Sequence, residues 1–138
     1  MRGIGCVLRV AGGAFDVDAF LRDTAFEPVA VYRKGESRGR LRSRGPSTTS
    51  GCNVLVSEGD DLAQQCQDAV AFLRVHGDAL RRARRDTTIE FFVLDFSTSF
   101  RDVAVQSEQF SPELVTAAGM LGLGIELSLY PRSSDGVQ

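Results

Sequence analysis

Residues 87–96 have the sequence TTIEFFVLDF, the most apolar segment of the chain. Side chains alternate along an extended strand, so both sides of this segment are apolar: Ile89, Phe91 and Val93 on one side, Phe92, Leu94 and Phe96 on the other. The pattern predicts a central strand that is covered on both faces. We therefore expect the rings of Phe91 and Phe92 both to be buried, one of them by a loop, an additional helix or a second subunit.

The residues before this strand predict the longest helix of the chain. Apolar residues recur at helical spacing from Leu62 to Leu73, and Asp60 and Asp61 are candidate N-caps, which indicates a helix over roughly Asp61–His76. Gly77 is interpreted as its C-cap. Further helical turns are expected over Asp78–Arg85.

The residues after the central strand predict a short strand, a helix and a last strand. The short strand is placed at Asp102–Gln106. Ser111, Pro112 and Glu113 are typical of a helix start, with a cap, a proline and an acid in the first turn. The last strand has Ile125, Leu127 and Leu129 on one face, with polar residues between them.

The N-terminal part repeats the same alternation. A strand is expected over Ile4–Val10 and a helix over Val17–Thr24, capped by Asp16. A second strand follows Pro28 and covers Val29–Arg33, and a third covers Cys52–Ser57. A long loop rich in Gly, Ser and Arg, Lys34–Gly51, separates these two strands.

The order β-α-β-β-α-β-β-α-β indicates one α+β domain over residues 1–138, with a polar tail from about Arg132. We expect a mostly antiparallel sheet with helices on one face. A ferredoxin-like arrangement with an extra β-α-β unit fits this order.

Composition argues against a disordered chain, a membrane protein and a secreted disulfide-rich protein. Hydrophobic residues make up 43% and charged residues 25% of the chain, which is typical of a globular domain. The net charge of −2 argues against nucleic acid as a partner. No apolar run approaches the roughly 20 residues that span a bilayer, and no signal peptide is recognised. Three cysteines, an odd number, are typical of reduced thiols, so we expect a cytoplasmic protein with buried cysteines.

The candidate site lies in the long loop. Six cations follow one another with a single acid, Glu36, between them, and their alternation with Gly and Ser could form a flexible clamp: Arg33, Lys34, Arg38, Arg40, Arg42 and Arg44. The cluster has three possible interpretations: a solvated surface, a site for the acidic surface of another protein, or a clamp for the phosphates of a nucleic acid. A second cluster, Arg81–Arg85, is explained by the dipole at a helix C-terminus.

Catalytic motifs are scarce. His76 is the only histidine, and no His/Cys spacing supplies a metal site, so we expect no metal and no cofactor. A Cys52–His76 pair would need an activated thiol, for which the sequence offers no signal. Asp95 is interpreted either as an acid or base or, more simply, as the cap of a turn at residues 96–99.

Four groups of residues together resemble a known family. They are the strand Leu8–Gly12 followed by Asp16–Asp18; Glu27-Pro28 with Tyr32–Glu36; the serine-rich loop, strand and long helix; and Ser111–Leu114 with Leu121–Leu123 and Leu127–Tyr130. The chain is similar in these places to a bacterial family of small uncharacterised proteins known as a domain of unknown function. Some of its relatives resemble immunity proteins of toxin systems. The family often has a tryptophan in the third strand, where this chain has Gly51-Cys52-Asn53.

These observations leave two hypotheses of function. The first is a non-enzymatic protein-interaction module, with an immunity protein as the form that the resemblance implies and a homodimer as one state it could adopt. The second is a small enzyme or ligand sensor with a pocket between the sheet and the loop at residues 34–50.

Overall fold

The computed structural model describes residues 5–36 and 46–131 of the chain. Within these residues the elements alternate, and their bounds are β1 Cys6–Gly12, α1 Val17–Thr24, β2 Ala30–Tyr32, β3 Ser50–Ser57, α2 Leu62–Arg84, β4 Phe91–Ser99, α3 Pro112–Met120 and β5 Gly124–Tyr130. The α+β class and the alternation of strands and helices are confirmed.

The five strands form one sheet in the order β2-β3-β1-β4-β5. The pairs β2–β3, β3–β1 and β1–β4 are antiparallel, and β4–β5 is parallel. The first four strands have the ferredoxin-like order, and α3 connects β4 to β5 as one further β-α-β unit. The expected mostly antiparallel sheet is therefore present, and the extra unit shares β4 with the rest of the fold.

Local capping rules place the helix starts. The Asp16 and Asp61 carboxylates accept hydrogen bonds from the backbone N–H groups of Ala19 at 3.0 Å and Gln64 at 2.8 Å. The Ser111 hydroxyl accepts one from Leu114 N–H at 3.2 Å, with Pro112 as the first helical residue. These bonds satisfy backbone donors that have no partner inside the helix.

The core lies between one face of the sheet and the helices. Cys6, Leu8 and Val10 of β1 point into it, and Phe92, Leu94 and Phe96 of β4 lie beside them. α2 packs against β3, β4, α1 and α3 and is the central element of the helical layer. The helices thus lie on one face of the sheet, as expected.

Three sequence predictions about element bounds are wrong. The central strand, expected over residues 87–96, is β4 at Phe91–Ser99, because Thr87 and Thr88 form a turn before it. α2 continues through Gly77 to Arg84, because Leu80 and Ala83 extend the buried face of the same helix beyond the glycine. No strand forms at residues 102–106. Instead, Gln106 closes a compact loop, accepting from Arg101 N–H at 2.8 Å and donating to the carbonyl of Ser99 at 3.0 Å.

Candidate functional site

The register of β1 separates the two faces of the sheet. Leu8 lies between Val54 and Leu94 on the helical side, whereas Arg9 lies between Asn53 and Val93 on the opposite side. None of the three helices packs on this second side within the described residues. We call it the open face and define it by the outward side chains of all five strands: Val7, Arg9, Tyr32, Asn53, Leu55, Phe91, Val93, Asp95, Glu126 and Ser128.

A charged group occupies the centre of the open face. Arg9 Nη1 lies 3.3 Å from Asp95 Oδ2 and 3.7 Å from Glu126 Oε1. The Ser128 hydroxyl donates to Asp95 Oδ1 at 2.7 Å, and the Asp95 side chain is only 13% exposed. The centre of the Arg9 guanidinium is 5.4 Å from the centroid of the Phe91 ring, within the range of a cation–π contact.

This arrangement fixes a guanidinium on a rigid surface. Three adjacent strands supply the contacts, since Arg9 is on β1, Asp95 on β4, and Glu126 and Ser128 on β5. Both carboxylate contacts use Nη1, and a guanidinium carries five N–H donors, so Arg9 can bind a further acceptor while its position is held. The group is suited to recognition of a polar partner.

Sequence reasoning found Asp95 but misplaced it, and it missed Arg9. Of the two interpretations of Asp95, an acid or base and a turn cap, the turn cap is wrong, because β4 does not end at Phe96 but runs on to Ser99. Arg9 is a lone cation between apolar residues of a strand. That pattern indicates an arginine on the outer face of a sheet. It does not indicate which residue pairs with the arginine, because Asp95 lies 86 positions away in the sequence.

Apolar side chains surround the charged group. Phe91 and Leu55 keep 38% and 39% of their surface exposed. Phe92 is buried under the helices, whereas Phe91 lies on the open face and no described helix covers it. Coverage of this second face by the loop or by a second subunit stays a prediction. Two outward residues of β4, Phe91 and Val93, are apolar although no helix of the described chain covers them.

The ring of Tyr32, on the edge strand β2, lies over Gly51 of β3. A Cβ atom built on Gly51 would lie 2.5 Å from the Tyr32 hydroxyl oxygen, so the phenol lies directly over this glycine. Tyr32 and Gly51 are also paired in the β2–β3 register. An aromatic ring from the edge strand thus occupies the space above the third strand.

Two of the six predicted loop cations can be located. Arg33 is already paired: its Nε and Nη2 atoms donate to the two carboxylate oxygens of Asp18 at 3.1 and 2.7 Å, and Nη1 lies 3.7 Å from Glu36. The hydrogen bond from Arg33 is the main reason that the pKa of Asp18 is lowered. Lys34 is exposed beside Ser50, whose hydroxyl accepts its backbone N–H. Arg38, Arg40, Arg42 and Arg44 lie outside the described residues.

The second arginine cluster has local partners. Arg81 contacts Asp78 at 2.9 Å and Arg82 contacts Asp23 at 3.5 Å, both on the exposed surface at the end of α2. Arg84 packs against Gly122, where an added Cβ would lie 2.1 Å from its Nε. These contacts join α2 to α1 and to the turn before β5.

The cysteines are buried and have no environment that would activate them. Burial raises the pKa of Cys52 to about 11 and raises the pKa values of Cys6 and Cys66. His76 packs against the rings of Phe26 and Phe72, with centroids 5.0 and 4.6 Å apart. A thiol with a raised pKa is a poor nucleophile, so the Cys52–His76 alternative gains no support.

A cleft of about 620 Å³ separates α2 from the start of α3. Its walls include Cys66 and Val70 from α2 and Ser111 from the cap of α3, and an ion pair between Arg74 and Glu113 spans it. The second hypothesis places a pocket between the sheet and the loop at residues 34–50, and no residue that lines this cleft belongs to that loop. Residues 37–45 of the loop lie outside the described chain.

Two further findings apply to residues 5–36 and 46–131. No group of three His, Cys, Asp or Glu side chains is arranged to hold a metal ion. None of the helices there combines the length and the apolar character that crossing a membrane requires.

The order of strands and the helices on one side define an α+β protein with a ferredoxin-like sheet and one added β-α-β unit. One face of its sheet is covered by none of the described helices. The chain belongs to the family described as a domain of unknown function, DUF4279, which matches residues 2–132. No curated protein and no solved structure matches the chain significantly.

Proposed function

We propose that this chain is a non-enzymatic protein-interaction module that binds its partner through the open face. The observation that carries the proposal is an aromatic and aliphatic surface around a fixed arginine, on a sheet face that no described helix covers. Aromatic residues and arginine are enriched at the energetically important centres of protein interfaces.

The chemistry of the surface favours a protein over a small molecule. The open face extends across five strands, and its exposed apolar side chains lie on different strands, with Leu55 on β3 and Phe91 on β4. Small ligands are bound in concave pockets that enclose most of their surface, which a sheet face does not provide. A protein partner can cover apolar and charged positions together.

The arginine-rich loop would extend this contact toward an acidic surface. Its two ends join β2 and β3 at one edge of the sheet. Because Arg33 is neutralised by Asp18 and Glu36, this role falls to Lys34, Arg38, Arg40, Arg42 and Arg44. Electrostatic attraction of this kind mainly accelerates association and adds specificity.

The specific form of the proposal is an immunity protein in a bacterial cytoplasm, with a protein toxin as the partner. This form is supported by the sequence resemblance. It predicts that a gene next to the one for this chain encodes a toxin, and that the two products bind each other when they are expressed together.

The experiment compares capture of partners by three forms of the full chain. Phe91→Thr combined with Leu55→Thr removes apolar surface from the open face and keeps residues that favour strands. Val75→Gln changes an apolar residue of α2 that is 75% exposed. We expect a captured protein to be lost with the open-face variant and retained with Val75→Gln. Equal capture by both variants would exclude the open face as the binding site.

A further arm addresses the loop. Charge reversal at Arg40, Arg42 and Arg44 is expected to leave the melting temperature unchanged and to slow association with the same captured partner, most strongly at low salt. Unchanged association would remove the loop from the interface. A small molecule that co-purifies with the chain, and is displaced by neither variant, would instead support the ligand-sensor alternative.

A further inference from the structure

β5 forms one edge of the sheet and carries few of the usual protections against pairing with another strand, since Glu126 is its only charged residue. Its seven residues, Gly124–Tyr130, contain no proline and no lysine. Among the described residues, only β4 pairs with it. The opposite edge, β2, has three residues only. Native proteins normally shorten, charge or cover an edge strand, because its free N–H and C=O groups attract other strands.

The backbone groups that point away from the sheet can be assigned. Tyr130 pairs with Ser99 in the parallel register, and its carbonyl accepts the N–H of Phe100 at 2.9 Å, so the backbone of Tyr130 points toward β4. Backbone direction alternates along a strand. Ile125, Leu127 and Leu129 therefore present their N–H and C=O groups at the free edge.

We propose that β5 pairs antiparallel with β5 of a second copy of this chain, with Leu127 opposite Leu127 at the two-fold axis. In this register Ile125 of each copy lies opposite Leu129 of the other copy. Three hydrogen-bonded residue pairs then form, which use all six outward N–H and C=O pairs of the two strands. The two sheets become one continuous sheet of ten strands.

The side chains of β5 are complementary to themselves in this register. On the open face, Glu126 lies opposite Ser128 of the second copy, so each carboxylate faces a neutral side chain and no like charges are paired. Gly124 lies opposite Tyr130, an arrangement in which the ring covers the backbone of the glycine. On the helical face, Ile125, Leu127 and Leu129 of both copies form one apolar row.

Neighbouring registers are less favourable. A pairing centred on Glu126 places two carboxylates directly opposite each other, which is destabilising. A pairing centred on Ser128 aligns fewer outward groups and leaves Ile125 without a partner residue. The two-fold contact also closes on itself, so it produces a dimer and no filament.

Exposed apolar residues on β5 and on α3, the helix that packs against it, are a second observation in favour of a dimer. Leu129 of β5 is 45% exposed, and Val115 and Met120 of α3 are 50% and 80% exposed. α3 packs on β5, so a two-fold axis at Leu127 brings the α3 helices of both copies to the same side of the joined sheet. Apolar surface of this kind is reduced when two copies associate.

The test uses a cysteine at the proposed axis. In Leu127→Cys the two Cα atoms would be roughly 5.5 Å apart, which suits a disulfide. In the control Leu129→Cys the corresponding atoms would be separated by four residues along the strand, roughly 13 Å, which does not. The native cysteines are buried and their pKa values are raised, so they do not compete.

We expect Leu127→Cys to form a covalent dimer under mild oxidation, with far less dimer from Leu129→Cys. Random collisions would favour Leu129→Cys, because Leu129 is the more exposed residue. A dimer that forms equally with both variants, or mainly with Leu129→Cys, overturns the proposed register.

Light scattering or sedimentation of the unmodified chain gives an independent readout. We expect a dimer whose Kd weakens by at least about tenfold in Leu129→Lys, because a charge replaces an apolar residue opposite Ile125. Val75→Lys, on the exposed side of α2, should leave the Kd unchanged. A chain that remains monomeric at all concentrations overturns the proposal, and this outcome is separate from partner binding at the open face.

Discussion

At the scale of single residues, Gln65 shows how a helix side chain completes a sheet. Its side chain is fully buried, donates to the carbonyls of Ser97 at 2.9 Å and Gly59 at 3.1 Å, and accepts the N–H of Ser97 at 3.1 Å. The β1–β4 pairing ends at Val7 with Asp95, so Ser97 lies just beyond it. The amide of Gln65 supplies the hydrogen bonds that a strand residue opposite Ser97 would otherwise supply.

We predict that Gln65→Leu lowers the free energy of unfolding by about 2–4 kcal/mol. The substitution keeps the side chain's size but leaves buried backbone groups of Ser97 and Gly59 without partners. Urea denaturation measures the change. The control Gln67→Leu, at an exposed position of the same helix, should stay within about 0.5 kcal/mol of the parent. Similar losses in both variants would contradict this role of the Gln65 amide.

Asp18 gives a prediction about pH. The pKa of its carboxyl is lowered by the hydrogen bond from Arg33, so the contact contributes stability above the ordinary carboxyl pKa and loses it as the pH falls through the lowered value. In Arg33→Ala the pKa of Asp18 should return toward its ordinary range. NMR titration of the Asp18 side chain checks this. An unchanged titration would show that Arg33 is free for a partner.

At the scale of elements, Gly77 lowers the stability of α2. The helix passes through it, and an added Cβ would meet only the flexible end of Arg81, at 3.4 Å or more. Glycine in a helix interior is destabilising relative to alanine. Gly77→Ala should therefore raise the free energy of unfolding by about 0.5–1 kcal/mol.

The matched control is Gly12 at the end of β1, where an added Cβ would lie 2.0 Å from the carbonyl oxygen of Thr88. Gly12→Ala should be clearly destabilising, since a backbone atom would have to move. Thermal melts of both variants, compared with the parent chain, measure these two changes in stability. If Gly77→Ala melts below the parent, the helix breaks at this residue, as the sequence interpretation had it.

At the scale of the whole molecule, the one-sided helical layer makes the two phenylalanines of β4 unequal. Phe92 is buried among the helices, so Phe92→Ala should lower the free energy of unfolding by about 3–5 kcal/mol. Phe91→Ala should lower it by about 1–2 kcal/mol, because more than a third of that side chain stays in water. Denaturation of the two variants at low protein concentration tests the difference. Equal losses would mean that the open face is covered in solution.

Local sequence rules determined much of the architecture. Asp16, Asp61 and Ser111 each cap a helix through a bond to a residue three positions later, and such a contact is visible in the sequence alone. The burial of Cys6, Cys52 and Cys66 also followed from their apolar surroundings. The α+β class was predictable because the periods of strands and helices differ.

Only the tertiary structure decided the features that depend on distant residues. The helix crosses Gly77 because Leu80 and Ala83 find a core beyond it, and this packing outweighs the local preference of glycine. Arg9 meets Asp95 because β1 and β4 are neighbours, although the residues are far apart in sequence. The packing of the helices decides which side of β4 is covered and which strand lies at the edge of the sheet. The pattern of apolar residues along one strand cannot predict either feature.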